Sequence, residues 1–215
     1  MDEVKAVFWP LAVIAILVIF RVPLSAFIDR ATTGKLSVDK SGLSVELIAS
    51  SAANLGAAVA SQPSSSTAGN QQGDLSRVAS AATRAAGKSI ALGKASVLWV
   101  DDNPNNNIYE RRALSALGIE FDLATNTEEA MKLLREKGYN LVVTDFTRRD
   151  DPHAAYTLLA DMNSLPSRPP VIIYSSSSSP EFQREAKSRG AYGETNKPVE
   201  LYDLVVSAIV GKQEA

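Results

Sequence analysis

The chain of 215 residues contains no cysteine and a single histidine, His153. Without cysteine it has no disulfide, no thiolate zinc site and no cysteine nucleophile, which is compatible with a cytosolic compartment. A Ser-His-Asp triad would have to be built on His153. That residue follows Asp-Asp-Pro in a stretch typical of a solvated turn, so we do not expect such a triad.

An excess of charge of one sign is also missing. The chain has 22 basic and 24 acidic residues, and its formal net charge is -2. Such a balance creates no strong field that would favour nucleic acid or an acidic partner. We therefore expect no nucleic-acid ligand.

A long apolar segment is present at the N-terminus. Residues 6–20 carry no charge, and apolar residues resume after Arg21. Residues 6–28 are long enough to cross a bilayer core of about 30 Å if the Arg21 guanidinium reaches the headgroups. Trp9 is suited to the interface between membrane and water. The pattern predicts a transmembrane anchor at residues 6–28.

The charges around this segment predict its orientation. Asp2 and Glu3 leave no net-positive start, which argues against a cleaved signal peptide. Lys and Arg are more frequent after the start of the apolar run than before it, and such residues favour the cytoplasmic side. We expect a single-pass protein of the inner (cytoplasmic) membrane with its bulk in the cytoplasm.

Two weakly patterned segments follow the predicted anchor. Residues 34–48 alternate apolar and polar side chains around a Asp-Lys-Ser-Gly turn, which predicts a juxtamembrane β-hairpin, although a poorly ordered stretch is an equal alternative. Residues 49–94 are mostly small and polar at first, which predicts a flexible linker without a core of its own. A weak helix is expected within it, from Leu75 to Leu92.

The remaining residues, 95–212, alternate hydrophobic runs with helix-period segments. The expected strands lie near residues 97–100, 119–124, 141–145, 171–175 and 191–195, and each is followed by a helix. Five strands interleaved with five helices predict an α/β domain with a doubly wound parallel sheet. Ligands of such sheets bind beyond the carboxyl ends of the strands.

Chemically active side chains stand at those carboxyl ends. They are Asp101 and Asp102 after the first strand, Asp145 at the end of the third, Ser175 at the end of the fourth and Lys197 after the fifth. Three neighbouring carboxylates repel one another unless a hard cation such as Mg2+ takes their oxygens. An added phosphoryl group would then meet a metal ion, a hydroxyl and an ammonium, which is most of what phosphoryl transfer requires.

The motifs VLWVDDN, VVTDF, VIIYSS and NKP, in this order, resemble those of the response-regulator receiver family of two-component signalling, which has a flavodoxin-like fold. The resemblance covers the C-terminal half of the chain. It implies that Asp145 is the phosphoacceptor and that Asp101, Asp102, Asp145 and the Thr147 backbone carbonyl bind Mg2+. It also implies that Ser175 is the switch hydroxyl and that Lys197 pairs with the phosphate, before a cis bond to Pro198.

Two features depart from that family's pattern. Glu194 stands where the family usually carries an aromatic residue, and a glutamate cannot fill the same apolar site. After Asp145 the usual hydrophobic-Pro-Gly stretch is replaced by one that contains Arg148 and Arg149, which we interpret as a solvated pair of charges.

The leading hypothesis is a membrane-tethered phosphoacceptor of a two-component phosphorelay, not an enzyme. Its expected partners are a sensor histidine kinase or phosphotransfer protein and an effector protein, since no DNA-binding output segment is expected after the last helix. The alternative is a phosphorylation-independent adaptor with a receiver-like shape. Glu194 and the altered loop favour the adaptor, whereas the acidic set and Lys197 oppose it. A hydrolase is disfavoured because the sequence offers no nucleophile paired with a base.

Overall fold

The computed structural model describes residues 40–62, 71–149 and 151–213. A compact unit comprises residues 44–215, and of the preceding unit only the first turn of a helix is described. The predicted anchor, residues 6–28, lies outside the described residues. Within the part of the chain that is described, no helix combines the length and the apolar character needed to cross a bilayer.

The sheet has five parallel strands in the described residues. They are β1 (Ser96–Val100), β2 (Glu120–Ala124), β3 (Leu141–Thr144), β4 (Val171–Tyr174) and β5 (Gly193–Thr195). Their order across the sheet is β2-β1-β3-β4-β5. This doubly wound order confirms the predicted fold class, and it places β1 between β2 and β3.

Eight helices accompany the strands in the same residues. They are α1 (Lys40–Ser61), α2 (Gln71–Ala86), α3 (Ser89–Leu92), α4 (Ile108–Ser115), α5 (Thr127–Glu136), α6 (Ala154–Asp161), α7 (Pro180–Ser188) and α8 (Pro198–Gln213). Two short 3-10 turns, Pro104–Asn107 and Met162–Ser164, precede α4 and follow α6.

The sheet separates two hydrophobic cores, because successive side chains of a strand point to opposite faces. In β1, Trp99 packs into a core with α4 and α8, whereas Leu98 packs into a second core with α5, α6 and α7. All four residues that follow Ser96 in β1 are buried. Burial on both faces explains why β1, β3 and β4 appear in the sequence as continuous apolar runs.

The segment before the sheet is helical where the structure describes it. The predictions of a hairpin, over residues 40–48, and of a flexible linker, over residues 49–62, are therefore wrong, whereas the weak helix expected from Leu75 to Leu92 is confirmed by α2 and α3. Residues 40–61 form α1, and residues 71–86 form α2. Leu55 is fully buried and belongs to the same hydrophobic core as Trp99 and residues of α2. The Ser51 hydroxyl donates to the carbonyl oxygen of Ala113, in α4, at 2.9 Å.

The physical reason for this difference is the small size of the residues. Alanine has the best helix propensity and loses no side-chain entropy on packing. Small side chains therefore allow α1 and α2 to lie close to the sheet domain, and a few larger ones, such as Leu55 and Val78, fill the contact. Burial of Leu55 alone stabilises this docking by about 1.5–3 kcal/mol.

Gly118 lies in the turn between α4 and β2. Its φ of 87° lies in the left-handed region, and a Cβ there would lie 2.8 Å from the Cα of Gly93, just after α3. A glycine is therefore required both by the backbone conformation and by the close approach of α3.

Candidate functional site

The carboxyl ends of the strands bring the predicted residues to one edge of the sheet. Asp101 directly follows β1, and its N–H donates to the carbonyl oxygen of Ala124 in β2 at 2.9 Å. Asp145 directly follows β3, and its N–H donates to Val100 in β1 at 2.9 Å. These bonds extend the sheet by one residue and fix the backbone that carries both carboxylates.

Three carboxylates form a cluster at this edge. One oxygen atom from each of Asp101, Asp102 and Asp145 lies within 4.8 Å of the others. Asp101 is only 3% exposed, and the other two are partly exposed. The predicted acidic set is therefore assembled in the structure, and its charges repel one another.

The pKa of Asp145 reflects the repulsion within this cluster and the burial of its carboxyl group. Burial, and next the charge of Asp101, raises the pKa of Asp145 to about 6. The N–H of Phe146 donates to its Oδ1 at 2.7 Å, and this bond and the Arg148 guanidinium act in the opposite direction. The donors near Asp145 therefore do not compensate for the loss of water and the neighbouring charge.

Asp101 is oriented by two asparagines. The backbone N–H of Asn103 donates to its Oδ1 at 2.7 Å, and the Asn107 side-chain amide donates to its Oδ2 at 2.5 Å. Asn107 precedes α4 at the capping position but makes no capping bond with its side chain. The Asn107 side chain therefore holds the buried Asp101 carboxylate and does not cap the helix.

The family assignment follows from residues 97–209, which match the model of the response regulator receiver domain. That range includes the five strands, the acidic cluster, Ser175 and Lys197. The chain belongs to the response regulator receiver family. The resemblance inferred from the sequence motifs is confirmed at this level.

Similar proteins include a curated gliding motility regulatory protein from Myxococcus xanthus, which is 35% identical over 99 residues. The match covers 44% of this chain and spans only 12% of that protein. A two-component response regulator from Clostridium difficile is 22% identical, with a TM-score of 0.49, over 57% of this chain and 100% of that one. Response regulator TrrA from Thermotoga maritima, solved in complex with Mg2+-BeF, is 23% identical, with a TM-score of 0.45, over 53% of this chain and 98% of that one.

The acidic cluster of this receiver has the donor set that Mg2+ prefers. Receiver domains bind this ion through such an acidic pocket, and Asp101, Asp102 and Asp145 each offer a carboxylate oxygen. The Arg149 N–H donates to Asp102 Oδ2 at 3.0 Å, yet a carboxylate oxygen retains a second lone pair for a metal ion. A bound cation would neutralise the charge that keeps the pKa of Asp145 high.

A cavity of about 390 Å³ opens beside Asp145. Its lining consists of Asp145, Phe146, Thr147, Ser175–Ser179 and Phe182. The Phe146 and Phe182 rings meet edge to face, with centroids 4.6 Å apart. Thr147 is exposed at this cavity, and the role of its carbonyl as a metal ligand stays a prediction. The cavity gives the receiver an apolar and serine-rich approach to the Asp145 carboxyl.

Arg148 is buried, so its interpretation as a solvated charge is wrong. It is 5% exposed, and its guanidinium donates to the hydroxyls of Thr144 at 2.6 Å and Thr127 at 2.8 Å, and to the carbonyl oxygen of Ala154 at 2.8 Å. Burial lowers the pKa of Arg148, whereas Asp145 and other nearby carboxylates raise it. This cation links the end of β3 to the first residues of α5 and α6. Nothing in its local sequence distinguishes it from exposed Arg149.

Glu194 is also buried, at 5% exposure, in the position where the aromatic residue was expected. Its carboxylate accepts hydrogen bonds from the Ser175 hydroxyl at 3.0 Å and the Ser178 hydroxyl at 2.6 Å. Burial raises the pKa of Glu194, and the two hydroxyls act against that shift. A buried carboxylate needs hydrogen-bond donors, and the two serine hydroxyls supply them.

Lys197 does not form an ion pair with the acidic cluster. Its ammonium donates to Glu200 Oε1 at 2.7 Å, and the side chain is 64% exposed. The peptide bond to Pro198 is trans, contrary to the prediction of a cis bond. The trans preference of such bonds is about 0.5–1 kcal/mol, and Pro198 here begins α8, a position that suits its fixed φ.

A second buried network lies behind the site. The Tyr174 hydroxyl donates to Glu110 Oε1 at 2.9 Å, and the Gln62 amide donates to the same hydroxyl at 3.2 Å. Burial raises the pKa of Glu110, which is 4% exposed. Glu110 and Tyr174 lie 64 residues apart in the sequence, so local sequence patterns do not indicate this bond.

Proposed function

We propose that Asp145 accepts a phosphoryl group from the phosphohistidine of a sensor histidine kinase or phosphotransfer protein. The observation that carries this proposal is the cluster of Asp101, Asp102 and Asp145 at the open carboxyl edge of the sheet. A cavity beside Asp145 provides space for the donor group. The receiver would then signal through contact with an effector protein, as an acceptor and not as an enzyme.

The chemical step needs one nucleophile and one leaving group. A carboxylate oxygen of Asp145 bonds to phosphorus while the bond from phosphorus to the donor's imidazole nitrogen breaks, and that nitrogen takes a proton. Asp145 Oδ1 accepts from Phe146, which favours Oδ2 as the attacking atom. Bound Mg2+ would neutralise charge on the phosphoryl oxygens. Ser175 and Lys197 are proposed to bind those oxygens after their present hydrogen bonds break.

We also propose that residues 6–28 anchor the chain in the inner membrane, with the receiver in the cytoplasm. The support is the apolar run and the excess of Lys and Arg after its start. A tether of this kind would concentrate the receiver near a membrane-bound kinase.

The test is incubation of the full chain with Mg2+ and acetyl phosphate, followed by measurement of the intact mass. We expect a gain of one phosphoryl group that needs Mg2+ and is absent in Asp145→Asn. Asp161→Asn, an exposed acidic residue at the end of α6, is the matched control and should gain the group. A folded chain that shows no gain would favour the phosphorylation-independent adaptor.

A further inference from the structure

The Ser175 hydroxyl already has two acceptors in the structure. It lies 2.5 Å from the carbonyl oxygen of Ser177 and 3.0 Å from Glu194 Oε1. A hydroxyl has one proton to donate. A phosphoryl oxygen on Asp145 would therefore compete with both acceptors for the same proton.

Glu194 is the acceptor with a fixed position. It lies in β5, where all three residues are buried, and β5 pairs with β4 through Ile173 and Glu194. The Ser177 carbonyl, in contrast, belongs to the exposed loop that follows β4. A carboxylate is also a stronger acceptor than a neutral carbonyl oxygen, because its hydrogen bonds are charge-assisted.

We infer that Glu194 is a positioning residue that holds Ser175 in the resting receiver, and that a phosphoryl group on Asp145 must take the Ser175 hydroxyl from it. The inference rests on the proposed function of Asp145. Glu194 thereby takes the place of the expected aromatic residue, with hydrogen bonds in place of apolar packing.

The same carboxylate connects Ser175 to the loop and to α7. Ser178 donates to Glu194 Oε2 at 2.6 Å, and the Gln183 amide in α7 donates to the Ser178 hydroxyl at 3.2 Å. Loss of Ser175 from Glu194 therefore changes a network that extends into α7. This loop and Phe182 of α7 also line the cavity beside Asp145, so the network borders the surface that a partner would approach.

The experiment is a titration of the full chain with beryllofluoride, an analogue of the phosphoryl group, in the presence of Mg2+. The fluorescence of Trp99 reports binding in a Trp9→Phe background, because the Trp99 ring lies 6.3 Å from that of Tyr174, next to Ser175. Glu194→Leu should bind beryllofluoride about tenfold more tightly, since a charge-assisted hydrogen bond no longer competes. Glu194→Gln should show a smaller gain, of about threefold, because a neutral amide oxygen accepts more weakly.

Two further comparisons make the result specific. Glu120→Leu removes an exposed glutamate from β2 and should leave the affinity unchanged. In a Ser175→Ala background, Glu194→Leu should give no gain, because the competition needs the hydroxyl. A gain of equal size without Ser175 would assign Glu194 a merely structural role and overturn the inference.

The outcomes separate the inference from the function on which it rests. Beryllofluoride binding by the wild type that is lost in Asp145→Asn supports the phosphoacceptor. If that binding is present and neither Glu194 variant changes it, the positioning role alone is wrong. If the wild type does not bind beryllofluoride, both proposals are overturned. If Glu194→Leu fails to fold, Glu194→Gln, which retains the shape of the side chain, tests the positioning role on its own.

Discussion

Arg148 and Arg149 are adjacent in the sequence and lie in opposite environments. The Arg148 guanidinium is buried among three neutral acceptors, whereas the Arg149 side chain is exposed and its backbone N–H contacts Asp102. A buried cation that loses its partners is costly, and so are partners left without a donor. The two residues therefore form a matched pair for measurement.

We predict that Arg148→Met lowers the free energy of unfolding by about 2–4 kcal/mol, because Thr144, Thr127 and Ala154 lose their donor. Arg149→Met should change it by less than about 0.5 kcal/mol. Urea unfolding of both variants checks the prediction. Equal, small effects would show that the buried position of Arg148 contributes little.

The raised pKa of Asp145 predicts how stability depends on pH in metal-free protein. Because this pKa rises from its ordinary value to about 6, the folded chain retains a proton that the unfolded chain releases. The resulting stability is complete below about pH 4 and is lost as the pH rises through 6. Asp145→Asn should therefore gain stability relative to wild type over this range, by about 1–2 kcal/mol once solvent screening is allowed for.

Urea unfolding with a chelator at several pH values measures this difference. Addition of Mg2+ should stabilise the wild type and not Asp145→Asn, since a ligand that binds only the folded state stabilises it. A difference between the two proteins that stays constant with pH would contradict the electrostatic description of the cluster.

At the residue scale, the sequence predicted Asp101, Asp102, Asp145 and Ser175 as site residues. Each stands at the carboxyl end of a predicted strand, and these ends share one edge of a parallel sheet. The sequence could not predict the partners of Arg148, Glu110 or Glu194. Their burial depends on residues that the fold brings from elsewhere, such as Thr127 for Arg148, 21 residues away. Charged side chains are usually exposed, so a sequence interpretation places them at the surface. Here hydrogen bonds to residues from other parts of the fold allow these side chains to be buried.

At the scale of elements, α1 is where the sequence interpretation was wrong. The alternation of Leu43, Val45 and Leu47 suggested a strand, but a window of five residues does not distinguish a strand from a helix. Over a longer window Leu47, Ser51, Leu55 and Ala58 follow one another at helical spacing, and the last three are buried. The strands β1, β3 and β4 were predictable because each contains a continuous apolar run that ends at a polar residue.

The docking of α1 predicts a stability effect that does not depend on the acidic cluster. Leu55→Ala should lower the free energy of unfolding by about 2–4 kcal/mol, because it leaves a cavity in the hydrophobic core that also contains Trp99. Ser50→Ala, at an exposed position of the same helix, should change it by less than about 0.5 kcal/mol. Thermal or urea unfolding of the full chain measures both. An unchanged Leu55→Ala variant would mean that α1 does not stabilise the receiver.

At the scale of the whole molecule, α1 reaches the functional edge of the sheet. The Gln62 amide, one residue after α1, donates to the Tyr174 hydroxyl and to the Asn196 carbonyl oxygen at 2.8 Å. Tyr174 and Asn196 directly precede Ser175 and Lys197. Gln62 therefore contacts the two residues that directly precede the proposed phosphate ligands.

The membrane tether predicts the cellular fraction that contains the chain. The full chain should remain with membranes after alkaline carbonate extraction, because residues 6–28 would span the bilayer. Deletion of residues 2–28 should release it to the soluble fraction. A full chain that is extracted by carbonate would contradict the anchor, and so would a deletion variant that stays in the membrane fraction.

The most direct test of the central claim is the chemical location of the phosphoryl group. After reaction with acetyl phosphate and Mg2+, borohydride reduces an acyl phosphate of aspartate to homoserine, which peptide mass spectrometry can place in the sequence. We predict homoserine at position 145, and only in protein that reacted in the presence of Mg2+. Homoserine at position 101 or 102, or its absence from a folded and treated chain, would contradict this prediction.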